Sequence, residues 1–399
     1  LLNCDRYKPK PPKPPEPPEP KPIKIKVQVC KESGLIPNPY CPEVIEEEFE
    51  IGDEPREVCS IHHAPEPKFK RYVFAADIMT AEGDWKNFLR QCAEAKADGI
   101  RMFAVYGWFG NVSSPWKQIG TWHADYDDAP ELPFYDLRQY DEKWWQKFRE
   151  ILCYCRGLSL EVIISLDDFC SLKLDGWEKY WHPVLSSAPD RDMKNPGVNR
   201  FPNGYWGIGD NTIEPFLKIY RKDIISEIQK TGVKYWIETM NEYDALDWPD
   251  DYMIMWHDRV VRELIDYGVP RERIIASPGR CWQNIAGQVG ILSIHCVVKD
   301  WQVPDLPWPH DRVMISGDGG YDGSGRANQK GGRGLGLKDV PALAKRLKEL
   351  GYYAYEYMDQ GMYFKDDNRA NLDDFDPEPL IALYENSFHP TGSERRKNE

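Results

Sequence analysis

The sequence predicts an α/β fold: a (β/α)8 TIM barrel preceded by a small strand-and-turn module and a Pro-rich tether. Three observations predict it. From Arg71 onward, short β-branched or aromatic runs alternate with amphipathic stretches of helical period. Eight such runs can be counted, the number a closed parallel barrel needs. Many of the helical stretches stop at a Gly just before the next run, which is a helix C-cap signal. An open doubly wound sheet is the rival, but no Gly-rich phosphate loop follows the first run.

Taken in order, residues 8–22 ("KPKPPKPPEPPEPKP") are almost entirely Pro, Lys and Glu. Proline removes backbone donors and fixes φ, so residues 1–27 read as an extended tether holding the chain away from an anchor. The chain begins at Leu1 rather than Met, as expected of a processed product or a fragment. Residues 28–66 carry short β-like runs broken by Gly34, Gly52 and several prolines. Cys30, Cys41, Cys59 and His62 in this module fit either a disulfide among the cysteines or a zinc site using Cys-x-x-His.

The third region, residues 67–399, holds the barrel. Its expected strands are "YVFAADI", "IRMFAVYG", "LEVIISLDD", "VKYWIETM", "RIIASP", "GILSIHCV", "RVMISGD" and "YYAYEYM". Helices are expected over 84–99, 142–157, 211–232, 249–268 and 338–351. Two long aromatic segments are expected to be loops forming lids or binding walls: one after the second strand with Trp108, Trp116 and Trp122, and one after the third with Trp177, Trp181 and Trp206.

Composition narrows the function. A net charge of −14 argues against nucleic acid, whose phosphates need a cationic surface. No run of 18 apolar residues is present, so no membrane span is expected. The 15 Trp and 22 Tyr suit a cleft in which sugar faces stack on aromatic rings. No His/Asp/Glu cluster has metal-ligand spacing, so neither a catalytic metal nor another cofactor is expected.

In such a barrel the chemistry lies where strands end and βα loops begin. The strand ends here carry Asp77, Trp108, Asp167-Asp168, Asn241-Glu242, His295 and Asp318, with Arg101 inside the second strand and Glu356 and Asp359 on the eighth. Carboxylates, an amide, an Arg and a His converging on one rim suit glycoside cleavage, in which two carboxyl groups flank the scissile bond. An Asn beside the acid can bind the sugar 2-hydroxyl.

Two resemblances follow from these residues. Cys30-x-x-Ser33-Gly34-Leu35, Tyr40-Cys41-Pro42, Gly52-x-x-Pro55 and Cys59-x-x-His62 resemble the cysteine-containing tail of bacterial penicillin-binding proteins. That resemblance covers about a tenth of the chain and implies an accessory module at the cell surface, in a larger surface or appendage protein reached through the tether.

The barrel resembles the glycoside hydrolase clan of cellulases and β-mannanases, and is most similar to family 5, through Asn241-Glu242, Arg101 in "GIRMF" and His295 in "SIHCV". The resemblance implies a β-linked polysaccharide or cell-surface glycan as substrate, Glu242 as acid/base, and an extracellular or cell-surface location. It implies Asn241 and His295 as substrate contacts and Arg101 as the residue that positions the nucleophile. Trp108, Trp206 and Trp248 as stacking platforms and Asp168 as a loop contact are expected from their places at the strand ends and in the aromatic loops. Together with Asn241, Arg101 and His295 they form the expected substrate-binding set. This chain departs from the pattern at three places. Asp318 stands where the clan has a Glu nucleophile, "AYEYMDQG" lacks the usual strand-eight Trp, and Val297 replaces a Tyr. Three readings stay open: Asp318 as nucleophile, Asp318 as the base of an inverting reaction, or Glu356 in its place. A glycan-binding barrel without catalysis and a peptidoglycan-lytic enzyme are the alternatives.

Overall fold

The computed structural model describes residues 23–30, 44–51, 69–108, 111–123, 131–168, 214–243, 250–278, 289–295, 312–316, 340–359, 362 and 370–388. The chain divides into two units, Leu1–Glu66 and Pro67–Glu399. In the first, β1 (Ile23–Cys30) pairs antiparallel with β2 (Val44–Ile51). The register sets Lys24 opposite Glu50 and Lys26 opposite Glu48. Cys41, Cys59 and His62, and the side chain of Cys30, lie outside the described residues, and with them the disulfide and zinc expectations.

The second unit opens with β3 (Lys70–Phe74), α1 (Trp85–Glu94) and β4 (Gly99–Phe103). The segment after β4 corrects the expected long loop. It forms β5 (Tyr106–Trp108) against β6 (Asn111–Ser113), then β7 (Trp116–His123) against β8 (Glu131–Tyr140). Trp116 is buried and packs on Tyr220 with ring centroids 5.2 Å apart, so it belongs to the core rather than to a binding wall.

The chain continues through α2 (Glu142–Gly157), β9 (Glu161–Ser165), α3 (Glu214–Thr231), β10 (Tyr235–Asn241), α4 (Asp250–Asp266) and β11 (Ile274–Ser277). It ends with β12 (Ile291–His295), β13 (Val313–Ser316), α5 (Val340–Leu350), β14 (Ala354–Tyr357) and α6 (Glu378–Phe388). The sequence did not announce α6. Asp84 and Asp141 cap α1 and α2 by accepting from backbone N–H groups in the first turn. Gly232, Gly268 and Gly351 take left-handed φ just past α3, α4 and α5, as the C-cap reading expects.

Strands β3, β4, β9, β10, β11, β12, β13 and β14 close into a parallel barrel, the (β/α)8 fold the alternating pattern predicts. Its interior is layered. Following the register from strand to strand with a climb of one residue at each step leads from Arg101 through Glu238, Ser293 and Glu356 and back to Arg101. Those four residues, from alternate strands, form one fully buried polar layer.

Beneath it lies an apolar layer of Tyr72, Ile163, Ile275 and Met314, and then a floor of Gly99, Trp236, Ile291 and Ala354. Gly99 is needed in that floor, because a Cβ there would sit 2.2 Å from the carbonyl oxygen of Glu161. At the bottom rim, Glu161 accepts from Lys70 Nζ at 2.9 Å, Tyr72 Oη at 2.8 Å and Trp236 Nε1 at 3.2 Å.

Candidate functional site

Arg101 is the centre of the polar layer and has no solvent exposure. Its Nε donates to Glu238 Oε2 at 2.9 Å and its Nη2 to Glu238 Oε1 at 3.0 Å, a bidentate fork. Nη1 reaches both oxygens of Glu356 at 3.4 Å, a looser contact. The remaining Nη2 hydrogen goes upward to Asn241 Oδ1 at 2.7 Å. Phe103 closes one face of the guanidinium, with Cζ 4.9 Å from its ring centroid.

Asn241 in turn donates from Nδ2 to Asp168 Oδ1 at 3.0 Å, and its backbone N–H bonds the Asp167 carbonyl at 3.0 Å. This fixes the amide orientation. A flipped amide would set N–H against N–H at Arg101 and oxygen against oxygen at Asp168.

Glu238 and Asn241 are three residues apart, so a regular strand would point them to opposite faces. A register shift between them, a β-bulge on β10, brings both to the barrel interior. Directly after the bulge, Glu242 takes φ +46°, a left-handed conformation uncommon for a residue with a side chain. Unlike the layer below it, Glu242 is partly exposed. Tyr243 follows and stacks on His257 of α4, centroids 5.0 Å apart, anchoring the chain beyond the carboxylate.

The predicted residues therefore divide. Arg101, Asn241, Asp168 and Glu242 come together at the C-terminal end of the barrel, with the first three buried. Glu356 lies a layer lower and is fully buried against Arg101. Asp77 sits in a buried turn after β3. Strand β12 ends at His295, but the side chains of His295 and Trp108, and all of Asp318, Trp206 and Trp248, lie outside the described residues. Glu238 was not anticipated. The signal for it was a charged residue in the middle of an otherwise apolar run, "YWIETM".

Burial pushes the Tyr220 phenol up, with the Asp167 carboxylate adding to it, so this neighbour of the mouth stays protonated and donates to the Leu166 carbonyl. Among the described residues no His/Cys/Asp/Glu group could hold a metal ion, and no helix is long and apolar enough to cross a membrane.

The barrel resembles glycoside hydrolases. A candidate glycoside hydrolase from Bacteroides vulgatus matches at 13% identity over 79% of this chain and 55% of that one, with a TM-score of 0.47. A Bacteroidetes-affiliated family 5 cellulase linked with a polysaccharide utilization locus matches at 10% identity over 82% and 93%, TM-score 0.46. A family 113 β-1,4-mannanase matches at 10% identity over 80% and 98%, TM-score 0.43. This chain thus spans little more than half the length of the Bacteroides vulgatus protein. Residues 25–64 match the family profile of the penicillin-binding protein 1A C-terminal domain. Among curated proteins, none matches this sequence.

Proposed function

We propose that the barrel is a glycoside hydrolase acting on a β-linked glycan, with Glu242 as the general acid/base. One observation carries this reading. A partly exposed carboxylate stands at the end of the fourth barrel strand, directly after an amide whose orientation is locked from below by a buried arginine. General acid/base work needs a carboxyl group held rigidly yet open to substrate, and a neighbouring amide suits a sugar hydroxyl.

For the second carboxylate the burial of Glu356 favours Asp318, two residues past the end of β13, because a nucleophile or base must reach the sugar ring. The buried Asp168 then supports Asn241 from behind.

The test is reducing-end release from β-glucan, mannan, xylan and purified peptidoglycan by wild type and Glu242→Gln. Cleavage of one of these, lost in the variant, supports the reading. Retained binding without cleavage by wild type would replace it with a glycan-binding role.

A further inference from the structure

We propose that Glu238 is a positioning residue that sets which end of the Asn241 amide faces the substrate; this rests on the reading of Glu242 as the acid/base. The argument is one of donor geometry. A guanidinium can rotate about its stem unless two of its edges are held. Glu238 takes Nε and one Nη2 hydrogen in a planar fork, which fixes that plane and leaves the second Nη2 hydrogen aimed at Asn241 Oδ1. With Oδ1 committed to Arg101 and one Nδ2 hydrogen committed to Asp168, the other Nδ2 hydrogen is left for a sugar hydroxyl. Glu238 is fully buried beneath Asn241, so it acts through Arg101 and touches no substrate. The β-bulge between Glu238 and Asn241 is what lets one strand supply both ends of this relay.

The experiment compares Glu238→Gln with wild type on 4-nitrophenyl β-glucoside, on the β-mannoside, and on the 2-deoxy-β-glucoside that lacks the C2 hydroxyl of both. Glutamine keeps the shape of Glu238 but cannot accept two N–H groups in a fork. The expected result is a fall in kcat of about 100-fold on the 2-hydroxy substrate that wild type cleaves, and of less than about threefold on the 2-deoxy one. An equal loss on both substrates would mean a general structural defect and would overturn the inference.

Should Glu238→Gln fail to fold, Glu238→Asp keeps the charge but shortens the fork, and the same substrate-dependent split is expected at about 10-fold.

A second readout needs no turnover: hydrogen exchange of the Asn241 side-chain amide in 15N-labelled protein, assigned by its absence in Asn241→Ala. Exchange slowed in wild type and fast in Glu238→Gln supports the relay even if neither these glycosides nor any of the four polymers above is cleaved, in which case the hydrolase reading alone falls. Exchange that is the same in both proteins overturns the relay.

Discussion

Replacing Arg101 by Met tests how much of the barrel's stability hangs on one cation. The layer around it holds Glu238 and Glu356, both with no solvent exposure, and Arg101 is within 3.4 Å of each. Methionine fills part of the volume and supplies no charge. Removing one member of a buried ion pair typically costs about 3–5 kcal/mol, because the partner remains dry and uncompensated.

Taking about 4 kcal/mol, and an unfolding entropy of about 0.7 kcal/mol/K for a unit the size of Pro67–Glu399, the melting temperature should fall by about 6 °C. The assay is thermal denaturation followed by near-UV circular dichroism, with the double variant Arg101→Met/Glu238→Gln alongside. Removing one stranded carboxylate should return about 1–2 kcal/mol of the loss. A single variant melting within about 1 °C of wild type, or a double variant no more stable than the single, would refute the account of this layer as an electrostatic unit.

Other expectations concern separate parts of the molecule. Glu242→Gly should relieve the left-handed backbone, raise stability by about 1 kcal/mol and abolish glycan cleavage, as read by melting and by reducing-end release on the same preparation. Gly99→Ala should destabilise by about 3 kcal/mol or prevent soluble expression, since its methyl would collide with the Glu161 carbonyl.

At the bottom rim, burial would raise the Glu161 carboxyl, but the bond to Lys70, that cation's charge, and the bonds from Tyr72 and Trp236 outweigh it and hold the carboxyl below its usual range. A depressed carboxyl contributes stability above the unfolded value, about 4.3, and loses it as pH falls through the folded value. The urea-midpoint gap between wild type and Glu161→Gln should therefore be full at pH 6 and shrink as pH drops below about 4.

Much of the architecture was legible because it follows periodicity. Helix α2 was expected over the span it occupies, and the other expected helices were read past their C-terminal ends, α1 by five residues and α3, α4 and α5 by one or two, into caps such as Gly232. The β5–β8 hairpins were hidden because aromatic strands at the mouth alternate with polar residues much as an aromatic loop does. In the site, Asn241 and Glu242 stood out as polar residues ending an apolar run. Glu238 did not, because strict alternation sends it to the face opposite Asn241, and no sequence signal marks the bulge that reconciles them. Glu356 looked like a rim residue by position on its strand, whereas strand tilt places it level with Arg101. Tilt is a property of the closed barrel and is not written in any one strand.

The extra residue in β10 also separates two things the gene could lose independently. Deleting one residue between Glu238 and Asn241 would restore plain alternation: Asn241, then two residues from Glu238, would stay inside, while Glu242, then three away, would turn toward the surrounding helices. The four residues of the polar layer, the apolar floor and the strand order would keep their places. A single-codon deletion would thus leave the vessel standing with its acid turned away from the mouth, so this barrel's persistence as a fold is no guide to whether a given descendant still has chemistry at its rim.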